Sequence, residues 1–181
     1  MRRPSACVSS GGNMDLRGRT RIGVMGPSAC STRIWNLARD VGFGIARRGG
    51  ILICGGGGGV MEAAAKGARE AGGITVGILP GNRADQACAY VDIPIVTGLG
   101  NARNVINVMT SQVIIAVHGA FGTLSEIALA LKCGTPVVGL ETWSLSPPAG
   151  EIVPEIFAAS GAEEAVAMAF DLISQPDRPR P

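Results

Sequence analysis

Five consecutive glycines at positions 55–59 are the part of this sequence with the clearest chemical meaning. They follow a short apolar run at 51–54 and precede a segment with helical periodicity. Where side chains are absent, backbone N–H groups can approach an anion closely, and the N-terminus of a helix favours negative charge. A tight strand-to-helix turn without a ligand is the structural alternative, but two glycines suffice for such a turn. The run therefore predicts a phosphate site formed by four of its members: Gly56, Gly57, Gly58 and Gly59.

The residues around this run exclude two common nucleotide-binding motifs. No Gly-Lys-Ser/Thr sequence follows, so the run is not a Walker A loop, and Val60 stands where a GxGxxG fingerprint would have its last glycine. The run also follows the second predicted strand, whereas the dinucleotide fingerprint follows the first strand. A standard NAD site is therefore not expected.

A second glycine turn lies at 119–126, directly after an apolar run, and we expect Gly119, Gly122 and Thr123 to contact the ligand. Thr123 and Glu126 have the S/T-x-x-E spacing of a capping box, in which both side chains bind free N–H groups of the first helical turn. The functional alternative places the Glu126 carboxylate over the ligand, where it binds a ribose hydroxyl or acts as a general base. The sequence leaves both interpretations open.

Several other residues near these turns are candidates. Gly26 and Ser28 follow the first predicted strand, and Ser28 either donates to a phosphate or helps to cap the first helix. Arg103 stands near the start of a predicted helix, where a cation opposes the helix dipole, so it is either solvated or bound to an anion. His118 is the only histidine, has no evident partner for a nucleophilic triad, and is interpreted as a turn residue.

The elements that position these residues alternate between short β-branched strands and longer helical segments, which is typical of a doubly wound α/β fold. Strands are predicted at 21–25, 51–54, 75–79, 93–96, 112–117 and 136–140, and helices at 32–48, 60–71, 101–111, 123–132 and 163–174. The predicted fold is a Rossmann-like three-layer sandwich with a parallel sheet, formed by one domain at 20–174 between disordered tails at 1–19 and 175–181. In such a sheet the three glycine turns lie at one carboxyl edge, where ligands of open α/β folds bind.

The composition excludes several classes of function. Sixteen basic and 14 acidic residues give a net charge of +2, so no nucleic-acid or membrane partner is expected. The five cysteines have no CxxC or Cys/His spacing, which argues against a disulfide framework and against a metal site. The apolar runs are too short to span a bilayer and the N-terminus lacks a secretory signal, so we expect a cytoplasmic protein. Lys66 and Lys132 both lie within predicted helices and give no support to a pyridoxal Schiff base, which argues against a lysine decarboxylase.

The combined motifs resemble the LOG-like Rossmann superfamily, which includes cytokinin-activating phosphoribohydrolases and molybdenum cofactor carrier proteins. The similarity extends from about residue 21 to residue 140 and lies in IGVMG at 22–26, GGGGVMEA at 56–63, TVGILPG at 75–81, ARN at 102–104 and TLSEIALAL at 123–131. The carrier branch is the nearer match. The resemblance implies a binding protein for a phosphorylated, nucleotide-like ligand, with molybdenum cofactor or a nucleotide as cargo and no resident cofactor required.

The resemblance also implies an alternative function, hydrolysis of the N-glycosidic bond of a nucleoside 5′-monophosphate. In the phosphoribohydrolases an Arg-Lys step and a PGGxGTxxE turn supply a catalytic arginine and glutamate, to which Arg103 and Glu126 correspond. Asn104 stands in place of the lysine, His118 in place of the proline and Ala120 in place of the second glycine. These departures favour binding over hydrolysis.

Relatives in this superfamily generally assemble, so the resemblance also implies a homo-oligomer, most simply a dimer. Apolar residues on the third and fourth predicted helices are candidates for the interface: Val105, Val108, Met109, Ile127 and Leu131. The alternative is that these side chains fill the core.

Overall fold

A parallel sheet runs through the part of the chain that the structure, a computed structural model, describes: Leu16, residues 18–146, Ala149 and residues 156–175. Its strands are β1 (Arg21–Met25), β2 (Ile51–Cys54), β3 (Ile74–Leu79), β4 (Ile93–Val96), β5 (Val113–Val117), β6 (Val137–Leu140) and β7 (Ile156–Ala158). Every neighbouring pair is parallel, in the order β4-β3-β2-β1-β5-β6-β7. The doubly wound parallel sheet predicted from the sequence is therefore confirmed.

The six predicted strands agree with the structure to within one residue at each end. The sequence does not predict β7, because this strand has only three residues and lies at the edge of the sheet. β2, β5 and β6 are completely buried, as expected of strands covered on both faces. The two predicted tails, 1–19 and 175–181, lie almost entirely outside the described residues.

Helices cover both faces of the sheet and complete the three-layer sandwich. They are α1 (Thr32–Arg47), α2 (Val60–Glu70), α3 (Asn104–Thr110), α4 (Phe121–Lys132) and α5 (Ala162–Ser174). α1, α2 and α5 share one core cluster with the sheet, whereas α3 and α4 pack on the opposite face. The third helix is shorter than predicted, because a 3₁₀ turn at Gly100–Arg103 precedes α3. None of the helices described here is long and apolar enough for a membrane span.

The α1 and α2 helices pack with their backbones almost in contact. A Cβ atom at Gly42 would overlap the carbonyl oxygen of Ala64, and a Cβ atom at Gly67 would overlap that of Arg39. Glycine is required at both crossing points, because a side chain would push the helices apart. This contact fixes the position of α2 and, with it, the glycine run at its N-terminus.

One region of the sheet has only a partial cover. Ile51, Ile53 and Ile78 form a small core cluster, and Ile106 of α3 packs against it. Ile93 pairs with Val76 and Ile95 with Ile78, so both lie on this same face of the sheet. Their exposed fractions of 46% and 41% show that β4 is not covered there.

The predicted interface residues divide into buried and exposed ones. Val108 and Ile127 are completely buried, so of the two interpretations of these residues the structure supports the one in which they fill the core. Val105 and Met109 of α3 are 39% and 68% exposed. Leu131 is half-buried. We call the exposed apolar set on this face the α3–β4 surface: Ile93, Ile95, Val105 and Met109.

Candidate functional site

Three strand-to-helix turns meet at the carboxyl edge of the sheet. They follow β1, β2 and β5, which are neighbours and run parallel. A Cβ atom at Gly26 would lie 2.5 Å from Cγ1 of Val60, and Gly59 lies against the backbone of Pro27 and Ser28. The N–H of Val60 donates to the carbonyl of Pro27 at 3.0 Å. The turns after β1 and β2 are therefore in direct contact.

Three of the five glycines at 55–59 are explained by packing and backbone conformation alone. The Arg103 side chain lies over Gly55, where a Cβ atom would be 2.5 Å from Nη1. Gly56 has a φ of +73° and Gly59 a φ of +62°. This left-handed backbone favours glycine. These three positions are thus accounted for without a ligand.

Gly57 and Gly58 have no such explanation. Neither has a left-handed backbone. A Cβ atom at Gly57 would first meet the flexible Cε of Met61 at 3.2 Å, and one at Gly58 would meet the carbonyl oxygen of Ser28 at 3.3 Å. Because Gly57 and Gly58 have no side chains, the N-terminus of α2 is accessible. An anion that binds the backbone N–H groups of a helix N-terminus requires such access.

The helix N-termini at this edge differ in how they are capped. Ser31 caps α1, because its Oγ accepts a hydrogen bond from the N–H of Ile34 at 3.4 Å. No side chain caps α2, whose N-cap is Gly59, or α4, whose N-cap is Ala120. Ser28 is exposed and does not serve as a cap. The N-termini of α2 and α4 therefore keep their positive ends available to a negatively charged ligand.

Of the two interpretations of Thr123 and Glu126, the capping box is excluded by the structure. α4 begins at Phe121, two residues earlier than predicted, so Thr123 lies inside the first turn. Both side chains point into the protein, with Thr123 2% and Glu126 6% exposed. His118, which the sequence identified as a turn residue, has a left-handed backbone with a φ of +54°. This sharp turn directly after β5 lets the helix start early.

Glu126 contacts two polar side chains from the segment before β5. Nδ2 of Asn107 donates to Oε1 of Glu126 at 2.7 Å, and Nη1 of Arg103 lies 3.6 Å from the same oxygen. The Arg103 and Glu126 side chains are only 12% and 8% exposed. Of the two interpretations of Arg103, solvation is therefore excluded, and the arginine lies next to a carboxylate.

Burial opposes the charge on both members of this pair. Desolvation raises the pKa of Glu126, although the Asn107 hydrogen bond and the Arg103 charge act in the opposite direction. Desolvation also lowers the pKa of Arg103, against the attraction of Glu126. Ionisable groups kept in a desolvated cleft with a specific partner are typical of functional sites.

Four buried polar atoms around this pair have no hydrogen-bond partner within the described part of the chain. They are Nε and Nη1 of Arg103, Oδ1 of Asn107 and Oγ1 of Thr123. Such atoms are rare in folded proteins, because leaving each one unsatisfied costs about 1–3 kcal/mol. A ligand with hydrogen-bonding groups would satisfy them.

A cavity of about 570 Å³ opens beside Arg103 at the ends of β1, β2 and β3. This volume lies in the range of about 300–1,000 Å³ that is usual for small-molecule sites. The side chains that line it include the polar Ser28, Gln86 and Arg103 and the apolar Met61, Leu79 and Pro80. Gly55 and Gly57 form part of its floor.

The turn after β5 is held from two sides. Nδ2 of Asn104 donates to Oγ of Ser125 at 2.7 Å, and this Oγ donates to the carbonyl of Gly122 at 2.7 Å. On the other side, Oγ1 of Thr142 donates to the carbonyl of His118 at 2.6 Å. Asn104, at the position of the lysine in the phosphoribohydrolases, is thus a buried brace of the turn.

The backbone at His118 distinguishes this turn from the PGGxGTxxE pattern. A proline has a φ near −65° and cannot adopt the +54° observed here. Ala120, at the second glycine position, has an extended backbone with φ −118° and ψ −178°, which any residue adopts. The difference from the pattern is therefore one of backbone conformation as well as of side chains.

Sequence reasoning missed two residues of the site, Asn107 and Gln86. Asn107 lies in α3, four residues after Arg103, and that spacing was the available signal. Gln86 lies in a loop without any sequence signal. Among the described residues, no three His, Cys, Asp or Glu side chains are grouped to hold a metal ion.

Together, the fold and the site define a Rossmann-like α/β protein with a cavity at the carboxyl edge of its sheet. The chain belongs to the SLOG cluster4 family, whose model matches residues 19–172. The LOG-like resemblance is therefore confirmed.

Solved structures and curated sequences also show similarity to LOG-like proteins. The chain is 38% identical to the molybdenum cofactor binding protein of Rippkaea orientalis, with a TM-score of 0.76 over 86% of this chain and 98% of that one. It is 40% identical to the molybdenum cofactor carrier protein of Chlamydomonas reinhardtii, with a TM-score of 0.74 over 87% and 99% of the two chains. It is 33% identical over 140 residues to the cytokinin riboside 5′-monophosphate phosphoribohydrolase of Mycobacterium tuberculosis, covering 72% of this chain and 75% of the relative.

Proposed function

We propose that this protein binds a phosphorylated, nucleotide-like ligand at the carboxyl edge of its sheet and carries it without chemical change. The observation that carries the proposal is that Arg103 lines the cavity while its buried Nε and Nη1 atoms have no hydrogen-bond partner among the described residues. Oγ1 of Thr123, in the first turn of α4, is likewise buried without a hydrogen-bond partner. Phosphate oxygens accept hydrogen bonds from guanidinium and hydroxyl groups. Similarity to molybdenum cofactor binding and carrier proteins supports this class of function, with that cofactor or a nucleotide as cargo.

The ligand contacts come from the uncapped helix N-termini. At α2, Gly57 and Gly58 leave backbone N–H groups open, and Gly57 and Ser28 line the cavity. At α4, the open position is Gly122, where a Cβ atom would have no atom within 4 Å. Gly119 lies against Trp143, where a Cβ atom would be 2.5 Å from Nε1, so packing alone accounts for this glycine. Gly26 acts indirectly, by letting α2 approach β1.

The ion pair of Arg103 and Glu126 favours a second candidate function, hydrolysis of an N-glycosidic bond. A carboxylate can stabilise the positive charge of an oxocarbenium-like transition state, and a raised pKa is common among catalytic carboxylates. The similarity to a phosphoribohydrolase supports this candidate. We favour binding, because Oε1 of Glu126 is engaged by Asn107 and Glu126 does not line the cavity.

The test combines a binding measurement with a turnover measurement. AMP, GMP, ribose 5-phosphate and a phosphorylated pterin are titrated by calorimetry, and reactions with AMP are analysed for free adenine and ribose 5-phosphate. We expect saturable binding and no adenine release. Arg103→Ala should weaken binding about tenfold, because it removes charge-assisted hydrogen bonds.

The matched control is Arg47→Ala, which removes an exposed arginine from the last turn of α1, far from the carboxyl edge. It should leave binding unchanged. Adenine release by the wild type that is lost in Glu126→Gln would overturn carriage in favour of hydrolysis. If none of the four ligands binds the wild type, both candidate functions are refuted.

We also propose that two copies of the chain associate through the α3–β4 surface. Its side chains are apolar and exposed, and residues 93–102 include no charged side chain. In a two-fold interface both copies present the same surface, so a charge near the axis would face its own copy, and this uncharged surface avoids such repulsion. The free cysteines Cys30, Cys54, Cys88 and Cys133 support placement in the reducing cytoplasm.

Met109→Glu tests the dimer, because Met109 is 68% exposed and the change places two carboxylates near the interface. We expect light scattering at micromolar concentration to show a dimer for the wild type and a monomer for Met109→Glu. Asn36→Glu, at an exposed site of α1 on the other side of the sheet, is the control and should remain dimeric. A monomer mass for the wild type would refute the proposal.

A further inference from the structure

A strap formed by residues 81–91 leads from the end of β3 past the cavity to β4. It is anchored near both ends. The N–H of Gly98 donates to the carbonyl of Gly81 at 2.8 Å, and the N–H of Cys88 donates to the carbonyl of Gly56 at 2.8 Å. The second bond ties the strap to the glycine run. A 3₁₀ turn that ends at Gln86 lies between the two anchors, so the backbone of Gln86 is held at a defined place and its exposed side chain lines the cavity.

The carboxamide of Gln86 lies in the space that Gly81 leaves open. A Cβ atom at Gly81 would overlap Oε1 of Gln86. None of the described residues forms a hydrogen bond with the Gln86 side chain. The flanking residues Arg83 and Asp85 bind each other. The carboxamide is therefore a donor and an acceptor that these residues leave unused.

The cavity walls differ in chemistry between Arg103 and Gln86. Arg103 lies over Gly55, so the charged wall adjoins the glycine run. Near Gln86 the wall is apolar, because Leu79 and Pro80 directly precede the strap. A phosphate fits the first wall, and the faces of a planar ring fit the second.

We infer that Gln86 determines which ring this site accepts. Its carboxamide donates one hydrogen bond and accepts another at the edge of a fused heterocycle that presents an adjacent donor and acceptor, as purines and pterins do. The inference rests on the proposed function, because it requires the ligand phosphate to lie at the glycine run. Gln86 is thus a specificity residue and takes no part in any bond-breaking step.

Gln86→Leu tests this inference, because leucine has a similar size and no hydrogen-bonding group. AMP, GMP and a phosphorylated pterin are titrated against wild type and variant, with ribose 5-phosphate as the ligand without a ring. We expect binding of at least one ring-bearing ligand to weaken about tenfold, which is the effect of losing a paired hydrogen bond. Binding of ribose 5-phosphate should stay within about twofold. The ligand with the largest loss identifies the ring class.

The matched control is Asp85→Asn, which changes the neighbouring residue on the strap without altering the cavity lining. It should bind all four ligands as the wild type does. An equal loss of ribose 5-phosphate binding in Gln86→Leu, or unchanged binding of all three ring-bearing ligands, would overturn the inference and leave the proposed function standing. If the wild type binds none of the four ligands, the proposed function is refuted and the inference with it.

Discussion

Replacing single glycines of the run at 55–59 with alanine should separate folding from ligand binding. Gly56 has a φ of +73°, and a Cβ atom there would lie 2.5 Å from Cδ2 of Leu79. The left-handed backbone costs a non-glycine residue about 1–2 kcal/mol. Leu79 is only 1% exposed and the Cα atom of Gly77 would lie 3.3 Å from the same Cβ atom, so overpacking adds about 1–3 kcal/mol. Gly56→Ala should therefore lower the free energy of unfolding by about 2–5 kcal/mol.

Gly57→Ala is the contrasting change. Its backbone is not left-handed, and the nearest atom to a Cβ atom would be Cε of Met61 at 3.2 Å, the end of a flexible side chain. The free energy of unfolding should change by less than about 1 kcal/mol. The added methyl group would nevertheless stand at the cavity floor, where we propose that the phosphate lies. Binding of ribose 5-phosphate should weaken about tenfold or more.

Urea denaturation followed by circular dichroism measures the first quantity, and calorimetry with ribose 5-phosphate measures the second. A loss of 2 kcal/mol is a large fraction of the total stability of about 5–15 kcal/mol that is usual for a domain, so the contrast is measurable. If Gly57→Ala bound ribose 5-phosphate as the wild type does, the phosphate would not lie at this turn. If both variants lost equal stability, the structural role assigned to Gly56 would be wrong.

Three further predictions concern helix packing, pH and thiol reactivity. Gly42→Ala should lower the free energy of unfolding by at least about 2 kcal/mol in urea, because its Cβ atom would overlap the carbonyl of Ala64; unchanged stability would contradict the close crossing of α1 and α2. Burial raises the pKa of Glu126 above 4.5, so the folded state holds this proton more tightly than the unfolded state. The stability of the wild type relative to Glu126→Gln should therefore be greatest below pH 4.5 and fall as the pH rises through the folded-state pKa. If this relative stability instead rose with pH, the attraction of Arg103 would outweigh the effect of burial. Burial raises the pKa of Cys54 to about 12, so iodoacetamide at pH 8 should label it only after unfolding, as mass spectrometry of its peptide would show; rapid labelling of the folded protein would contradict this.

Most of the fold could be predicted because its signals are local. The apolar residues of β5 are continuous and fully buried, and turn residues bound them on both sides. The start of α4 was predicted wrongly for the same reason, because the Thr123 and Glu126 spacing is a local signal. The left-handed conformation of His118, which decides where the helix begins, has no counterpart in the sequence pattern. β7 depends on pairing with β6, which is a tertiary effect.

The sequence could identify most residues of the candidate site but not the separate role of each one. The glycine run is visible in the sequence as a candidate anion site. Only the contacts in the structure distinguish Gly56, which packs against Leu79, from Gly57, which lines the cavity. The hydrogen bond between Asn107 and Glu126 joins residues 19 positions apart, on elements separated by a buried strand. Gln86 reaches the cavity only because its strap is bonded to the glycine run. These relations arise from the packing of the sheet, which periodicity does not encode.

The left-handed backbone of His118 also limits how this protein can be converted into a relative by exchange of single residues. His118→Pro would bring the sequence nearer to the PGGxGTxxE pattern, yet the pyrrolidine ring cannot follow a φ of +54°. The preceding strand and the hydrogen bond from Thr142 stabilise the left-handed conformation of residue 118. They would therefore oppose the backbone change that a proline requires. A chimaera would have to exchange residues 118–123 together with the segment around Thr142. An evolutionary path between the two turns would likewise have passed through a concerted replacement or through a glycine at position 118, which is compatible with both.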